Sequence, residues 1–211
     1  MFPMNIAEKF HKEYNDKNNY NFNDNLLIKT RDEGIKVQDE LIKLRTNVEG
    51  NIVGWKVALT NKDMQKLVGI KEPAEGAIPS LLTYKDNVNL NFSDYCHLGL
   101  EVEIAIKIKK SIPKDIISFR THNELLPYCG EIMTALEIVD DRNTAKGGNL
   151  GTLLGQNAMN RGCVISEPRT IDPMILDKLE GKLFLSDNLF GSGYGRNVLE
   201  HPLNSLKWLA N

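Results

Sequence analysis

The run LGLEVEIAIKI, from Leu98 to Ile108, constrains the fold of this chain more than any other segment. Every second residue in it is Leu, Val or Ile, which predicts a β-strand with one continuous apolar face. Glu101 and Glu103 share the opposite face, between the small residues Gly99 and Ala105. We therefore expect the chain to provide a sheet in which this strand is paired.

Two carboxylates on one face of a strand repel each other unless a positive charge lies between them. A divalent cation is a common solution, and sites made only of oxygen ligands favour Mg²⁺, Mn²⁺ or Ca²⁺ over zinc. Glu101 and Glu103 are therefore candidate metal ligands. The alternative is a solvated outer face of an antiparallel sheet, which is the commoner origin of such a pattern.

Glu137 lies within a second apolar run, from Ala135 to Val139. A buried carboxylate is unfavourable unless it is paired or binds a metal, so Glu137 is a third candidate ligand. Asp140, Asp141 and Arg142 follow directly. They support the alternative interpretation that the whole segment is the exposed end of a strand.

The segment IVGWKVAL, from Ile52 to Leu59, predicts a buried strand in which Lys56 is flanked on its own face by Gly54 and Ala58. This leaves space for Lys56 to hold a substrate carboxylate or to assist proton transfer. The alternative is a lysine on an edge strand with its ammonium group in water.

Helix signals dominate the first part of the chain. Ile6, Phe10 and Tyr14 recur at helical spacing, and Thr30 with Glu33 forms a capping box before a second helical segment. We expect an N-terminal helical segment over residues 1–50 and a β-roll catalytic domain over residues 51–211.

Three further elements are predicted in the second part of the chain. A capped helix follows Thr60, with Met64 and Leu67 turned inward, and a hairpin has its turn at Asp187-Asn188. The dipeptide His201-Pro202 is interpreted as the start of a final helix, because proline is favoured at the first helical position.

Composition restricts the class of protein. The chain has 211 residues, a hydrophobic fraction of 41% and a formal net charge of -2. This composition is typical of a globular protein and predicts no nucleic-acid partner and no membrane partner. Three dispersed cysteines favour free thiols in a reducing cytoplasm rather than a disulfide framework or a structural zinc site.

Four segments, in this order, resemble the fumarylacetoacetate hydrolase superfamily, and within it the 2-keto-4-pentenoate hydratases and 4-oxalocrotonate decarboxylases. They are GWKVALTNKDMQKLVGI, LEVEIAI, ALEIVDDR and GSGYGRNVLEHPLNSLKWLA. LEVEIAI is similar to the metal-binding E-x-E strand of the family, and ALEIVDDR to the strand that brings the third carboxylate. Order and spacing agree from about Arg31 to the last residue.

The resemblance implies an α+β fold, a mixed β-sheet roll of the fumarylacetoacetate hydrolase type with flanking helices. It implies a metal-dependent hydro-lyase of aromatic catabolism, a homo-oligomer, that hydrates a small 2-hydroxy-2,4-dienoate such as 2-keto-4-pentenoate. The cofactor would be Mg²⁺ or Mn²⁺. Carried over residue by residue, the resemblance assigns Glu101, Glu103 and Glu137 to the metal, Lys56 and Glu75 to catalysis, and Gly155 and Asn157 to substrate binding.

The sequence departs from the family pattern in three places. The family's acidic residue before an aromatic and a glycine corresponds here to Ala74-Glu75-Gly76, and its ADNAS segment to Gly155-Gln156-Asn157-Ala158-Met159. The family also continues beyond the WLA helix, whereas this sequence stops at Asn211. We therefore expect a C-terminally incomplete roll with weak or absent turnover.

Three other functions stay open at this stage. The first is a 4-oxalocrotonate-type decarboxylase, which needs the same metal and the same enolate. The second is a non-catalytic remnant of the family. The third is a C–C bond hydrolase, which would normally require a His-Glu pair to activate water, and the sequence offers no convincing one.

Overall fold

The computed structural model describes residues 2–21, 27–113, 116, 118–142 and 149–211. Helices α1 (Met4–Asn15) and α2 (Arg31–Glu49) form the N-terminal part. Helix α1 buries Ile6, Phe10 and Tyr14, as its spacing predicts. The predicted capping box of Thr30 and Glu33 opens α2, and Gly50 ends it.

Eight strands form three sheets within the described residues. Strands β1 (Ile52–Ala58) and β2 (Ala74–Pro79) make an antiparallel pair. A four-stranded mixed sheet has the order β3 (Thr83–Lys85), β6 (Asn160–Ile165), β5 (Cys129–Asp140) and β4 (Leu98–Ile108). Strands β7 (Glu180–Leu185) and β8 (Asn188–Tyr194) form a hairpin. The α+β class is confirmed, and β4 has the limits that its alternation predicts.

Three short helices connect and cover these sheets: α3 (Lys62–Val68), α4 (Leu150–Gly155) and α5 (Pro202–Ala210). Helices α2 and α4 approach so closely that a methyl group on Gly34 would lie 2.4 Å from the carbonyl oxygen of Gly151. The final helix begins at Pro202 as predicted, and the Nδ1 atom of His201 caps it by accepting from the amide of Leu203 at 3.1 Å.

Three details differ from the sequence-based expectation. The face of β1 with Val53 and Trp55 is exposed, at 59% and 46% respectively, so the strand is not buried on both faces. Helix α3 turns Met64 and Leu67 outward. It buries Gln65 instead, whose side-chain amide donates to the Leu59 carbonyl at 2.7 Å, a contact that helical periodicity does not reveal.

The turn of the β7–β8 hairpin lies one residue earlier than predicted. Its two central residues are Ser186 and Asp187, both at positive φ, and Leu185 pairs with Asn188. Two-residue hairpin loops favour this left-handed backbone because its twist matches that of the strands. No helix among the described residues is both long and apolar enough to cross a membrane.

Candidate metal centre and cavity

The pairing of β4 with β5 brings the three candidate metal ligands together. Glu101 lies directly opposite Glu137, and Glu103 lies opposite Ala135, one step further along the same face. One carboxylate oxygen from each glutamate lies within 4.8 Å of the others. Opposed residues of antiparallel strands have their Cβ atoms about 5 Å apart, so this register places the three side chains close together on one face of the sheet.

Lys56 reaches the same point from the neighbouring sheet. Its Nζ atom lies 2.8 Å from Oε1 of Glu137, and the two side chains are only 10% and 6% exposed. Gly76 lies opposite Lys56, and its missing side chain leaves room for the lysine, since a methyl group there would come within 3.1 Å of Lys56 Cγ. The structure therefore places Lys56 in the cluster rather than in water.

Asn160 is a member of this cluster that the sequence analysis missed. Its Nδ2 atom donates to Oε1 of Glu137 at 2.9 Å, and the residue is only 2% exposed. A buried asparagine that orients a carboxylate has no local signature, because the two partners come from different strands. Only the pairing of β5 with β6 brings them together.

Burial and the neighbouring charges shift the pKa values of Glu103 and Glu137. The pKa of Glu103 is raised to about 7, chiefly by desolvation and then by the charges of Glu137 and Glu101. Desolvation also raises the pKa of Glu137, against the opposing effect of Lys56. Glu101 is exposed, Glu103 partly buried and Glu137 buried, so three carboxylates with one ammonium group leave excess negative charge at the edge of the core, which is the condition that a divalent cation relieves.

A cavity of about 680 Å³ opens beside this cluster. Lys56, Glu103 and Glu137 contribute to its wall, and most of the other lining residues lie on β1, β4, β5, β6 and α5. Glu103 and Glu137 thus lie at the surface of a space large enough for a small organic molecule, rather than in a closed ion site.

The similarity to known proteins agrees with this arrangement. The chain is 27% identical over 192 residues to a 2-hydroxyhexa-2,4-dienoate hydratase of Comamonas testosteroni, covering 89% of this chain and 71% of that one. It is 25% identical over 189 residues to a 2-oxo-hept-4-ene-1,7-dioate hydratase of Escherichia coli, covering 86% of this chain and 70% of that one. It is 26% identical over 168 residues to a 2-keto-4-pentenoate hydratase of Burkholderia vietnamiensis, with 79% and 63% covered.

The chain is related to the 2-keto-4-pentenoate hydratases. The fold agrees as well, because 4-oxalocrotonate decarboxylase from Pseudomonas putida G7, solved with magnesium and adipate, superposes with a TM-score of 0.82. That likeness covers 99% of this chain and 79% of the decarboxylase, at 20% identity. No protein-family model matches the sequence.

Glu75, which the resemblance to these hydratases assigned to catalysis, does not line the cavity. It pairs with Val57 across the β1–β2 ladder, whereas Lys56 pairs with Gly76, so Glu75 projects from the opposite face. Its carboxylate accepts a hydrogen bond from Arg31 instead. This contact joins β2 to helix α2, and the catalytic role of Glu75 stays a prediction.

Asn157, expected to bind substrate, makes hydrogen bonds to the backbone of β2. Its Oδ1 accepts from the amide of Ala77 at 2.7 Å, and its Nδ2 donates to the carbonyl of Ala77 at 2.9 Å. It begins three consecutive left-handed residues, which turn the chain from α4 into β6. Asn157 therefore anchors this turn to β2, and its substrate-binding role stays a prediction.

Gly155, the second expected substrate-binding residue, is a packing contact. A methyl group there would lie 2.9 Å from Ile28 Cδ1 and 3.3 Å from Val37 Cγ1. The glycine lets α4 approach α2, and it is not among the described residues that line the cavity. Its close contacts lie inside the core, and its substrate-binding role stays a prediction.

Replacing Asn157 by alanine is expected to lower the free energy of unfolding by about 1–3 kcal/mol, because the buried amide and carbonyl of Ala77 would lose their partners. Urea denaturation of the protein measures this change. Asn89→Ala, at an exposed position, is the matched control. A normal free energy of unfolding together with a raised KM would instead support direct contact between Asn157 and the substrate.

Proposed function

We propose that this protein is a metal-dependent hydratase that adds water to a 2-hydroxy-2,4-dienoate such as 2-hydroxypenta-2,4-dienoate, the enol of 2-keto-4-pentenoate. The product is a 4-hydroxy-2-oxo acid. The observation that carries the proposal is the group of three carboxylates, whose oxygens lie within 4.8 Å of one another, with Glu103 and Glu137 at the wall of a cavity. The names of its relatives support the same class of substrate.

Glu101, Glu103 and Glu137 would hold the cation, for which we propose Mg²⁺ or Mn²⁺. An all-carboxylate donor set suits these hard ions better than zinc. When bound, the ion supplies a Lewis acid beside the 2-oxo and carboxylate oxygens of the substrate. Asn160 would keep the Glu137 carboxylate in its orientation through the hydrogen bond of 2.9 Å.

Lys56 is the residue we propose for proton handling. Its ammonium group is buried beside Glu137 and faces the cavity, so it can donate to a substrate oxygen without competition from bulk water. In the net reaction the enol proton leaves oxygen and a proton adds to C5, which makes C4 electrophilic. Water then forms a C–O bond at C4, and its proton is delivered to C3.

A parallel assay of 2-hydroxypenta-2,4-dienoate and 4-oxalocrotonate with Mg²⁺ tests the proposal. We expect loss of the dienol absorbance with formation of the 4-hydroxy-2-oxo acid, and no release of CO₂. Release of CO₂ from 4-oxalocrotonate as the faster reaction would favour a decarboxylase, the activity named for the protein with the similar fold.

The stabilisation by Mg²⁺ is expected to grow as pH rises from about 6 to 8. The raised pKa of Glu103, about 7, means that the cation must displace a proton at the lower pH. Without metal, the stability of the protein is expected to change with pH in the opposite direction. The native state binds more protons than the unfolded state between about pH 4.5 and 7, so its free energy of unfolding falls as pH rises through that window.

Thermal melts with and without Mg²⁺ across this pH range measure both trends. Glu103→Gln carries no titrating group at this position, so both trends should flatten in that variant. A metal-induced shift that is independent of pH in the wild type would place the ion away from Glu103.

We also propose an assembly of identical chains in a reducing compartment. The β7–β8 hairpin exposes Phe184, Leu185, Leu189 and Phe190, each by more than half, and apolar patches of this kind commonly mark protein interfaces. All three cysteines are free, as a reducing compartment requires. Light scattering of the purified protein tests the assembly, and a monomer at all concentrations would contradict it.

A further inference from the structure

The face of β4 and β5 that carries the carboxylates is acidic at one end and becomes apolar further along the strands. Beyond the pairs Glu101–Glu137 and Glu103–Ala135, the next pair on this face is Ala105 with Met133. Each such step is about 7 Å, because a strand rises about 3.4 Å per residue. One step further, Lys107 forms an ion pair with Glu131 at 2.7 Å.

The cavity follows this face from the carboxylates into the apolar region. Ala105 and Met133 line it, together with Ile165 of β6 and with Leu206 and Leu209 of α5. A substrate whose oxo acid end lies at Glu103 would place the atoms beyond its diene about one step further along, over Ala105 and Met133. The alanine leaves room there, and the methionine can adapt its shape to a short tail.

The two lysines that line the cavity are both engaged by glutamates. Lys56 contacts Glu137 at 2.8 Å, and Lys107 contacts Glu131 at 2.7 Å. A carboxylate at the far end of a substrate would therefore lie against apolar side chains or compete with Glu131 for Lys107, which is 58% exposed and so gains little from an ion pair. Desolvating such a charge without a matched cation is unfavourable, whereas an alkyl tail gains from burial at the same place.

We propose that this cavity selects 2-hydroxydienoates with a short uncharged tail over those with a tail carboxylate, and that Ala105 and Met133 determine this specificity. The inference rests on the proposed hydratase function. The inference separates two classes of hydratase substrate, represented by 2-hydroxyhexa-2,4-dienoate and by 2-oxo-hept-4-ene-1,7-dioate.

Steady-state kinetics of the wild type with Mg²⁺ give the first test. The value of kcat/KM for 2-hydroxyhexa-2,4-dienoate is expected to exceed that for 2-hydroxypenta-2,4-dienoate by about fourfold, the effect of burying one methylene group. It is expected to exceed that for 2-oxo-hept-4-ene-1,7-dioate by at least about tenfold. A dioate used as well as the methyl-tailed substrate would overturn the inference.

Two variants assign the preference to the named residues. Met133→Lys places a cation beside the tail, so the ratio of kcat/KM for the dioate to that for the methyl-tailed substrate should rise at least about tenfold. Ala105→Leu fills the tail region, so the ratio of kcat/KM for 2-hydroxyhexa-2,4-dienoate to kcat/KM for 2-hydroxypenta-2,4-dienoate should fall. Leu67→Lys adds the same charge on the exposed face of α3 and should leave both ratios unchanged. Unchanged ratios in Met133→Lys would remove these residues from specificity.

Binding of substrate-like acids that do not turn over separates this inference from the proposed function. Calorimetry with Mg²⁺ is expected to show tighter binding of 2-oxohexanoate than of 2-oxoadipate. That result without any hydratase activity would support the tail preference and overturn the proposed reaction. Equal binding, or tighter binding of 2-oxoadipate, would overturn the tail preference even if hydratase activity is present. Binding of neither acid would count against both.

Discussion

Glu103→Gln is expected to abolish stabilisation by Mg²⁺ and to lower kcat/KM for the dienoate by at least about a hundredfold, the usual effect of losing one preorganised electrostatic contact in a closed site. The substitution keeps the shape of the side chain but removes one of the three carboxylates that lie within 4.8 Å of each other. It leaves a donor set with less negative charge for the cation.

In the metal-free protein, Glu103→Gln should not lower the free energy of unfolding. The pKa of Glu103 is raised to about 7, so its charged form is disfavoured in the folded state, and glutamine removes that penalty at pH 8. We therefore expect a metal-free variant at least as stable as the wild type. A variant that simply failed to fold would show lower stability instead.

Glu131→Gln is the matched control for this experiment. Glu131 lies on β5 like Glu137, but its carboxylate pairs with Lys107 at 2.7 Å and is 42% exposed. Its replacement should change neither the metal-induced rise in Tm nor kcat/KM for the untailed substrate by more than about twofold, as expected for a surface ion pair. Equal losses in the two variants would refute the assignment of Glu103 to the metal.

Lys56→Met is expected to lower kcat by about 10²- to 10⁴-fold, the range for loss of a positioned proton donor. The same change leaves Glu137 buried with no ammonium group beside it. Removing one partner of a buried ion pair lowers the free energy of unfolding by about 3 kcal/mol or more. Urea denaturation without metal and single-turnover kinetics with Mg²⁺ measure the two effects.

The two effects should respond differently to the cation. Mg²⁺ can replace the lost positive charge beside Glu137, so it should restore stability in Lys56→Met, but it cannot restore the proton donor. Lys182→Met is the control, since Lys182 is 47% exposed on β7. Full activity of Lys56→Met at saturating Mg²⁺ would show that the lysine only balances charge.

Local interactions made several elements predictable from the sequence. The alternation in β4 determines which residues share a face, and it holds over the whole of Leu98–Ile108. The capping box of Thr30 and Glu33 marks the start of α2, and the proline after His201 marks the start of α5. Each of these signals depends on neighbours within about four residues, so no tertiary contact is needed to read it.

The same local patterns led to wrong predictions of which side chains are buried. Met64 and Leu67 have helical spacing, yet they face solvent, because α3 is a short helix fixed by the contact of Gln65 with Leu59. The face of β1 that carries Trp55 is likewise exposed. Periodicity identifies a face, but which face meets the core depends on the element that packs against it.

The sequence by itself determined that Glu101 and Glu103 project from one side of a strand and made Glu137 and Lys56 candidates, and the family resemblance assigned all four to one site. Only the tertiary structure decided that these four side chains meet, because their contact depends on the register of β4 with β5 and on the approach of β1. It also revealed the contacts of Glu75, Gly155 and Asn157, whose predicted roles at the site stay predictions. The Glu75 carboxylate accepts from Arg31, the Asn157 amide bonds the backbone of Ala77, and the lack of a side chain at Gly155 allows the packing of α4. Such partners lie far away along the chain, and no local pattern of residues specifies them.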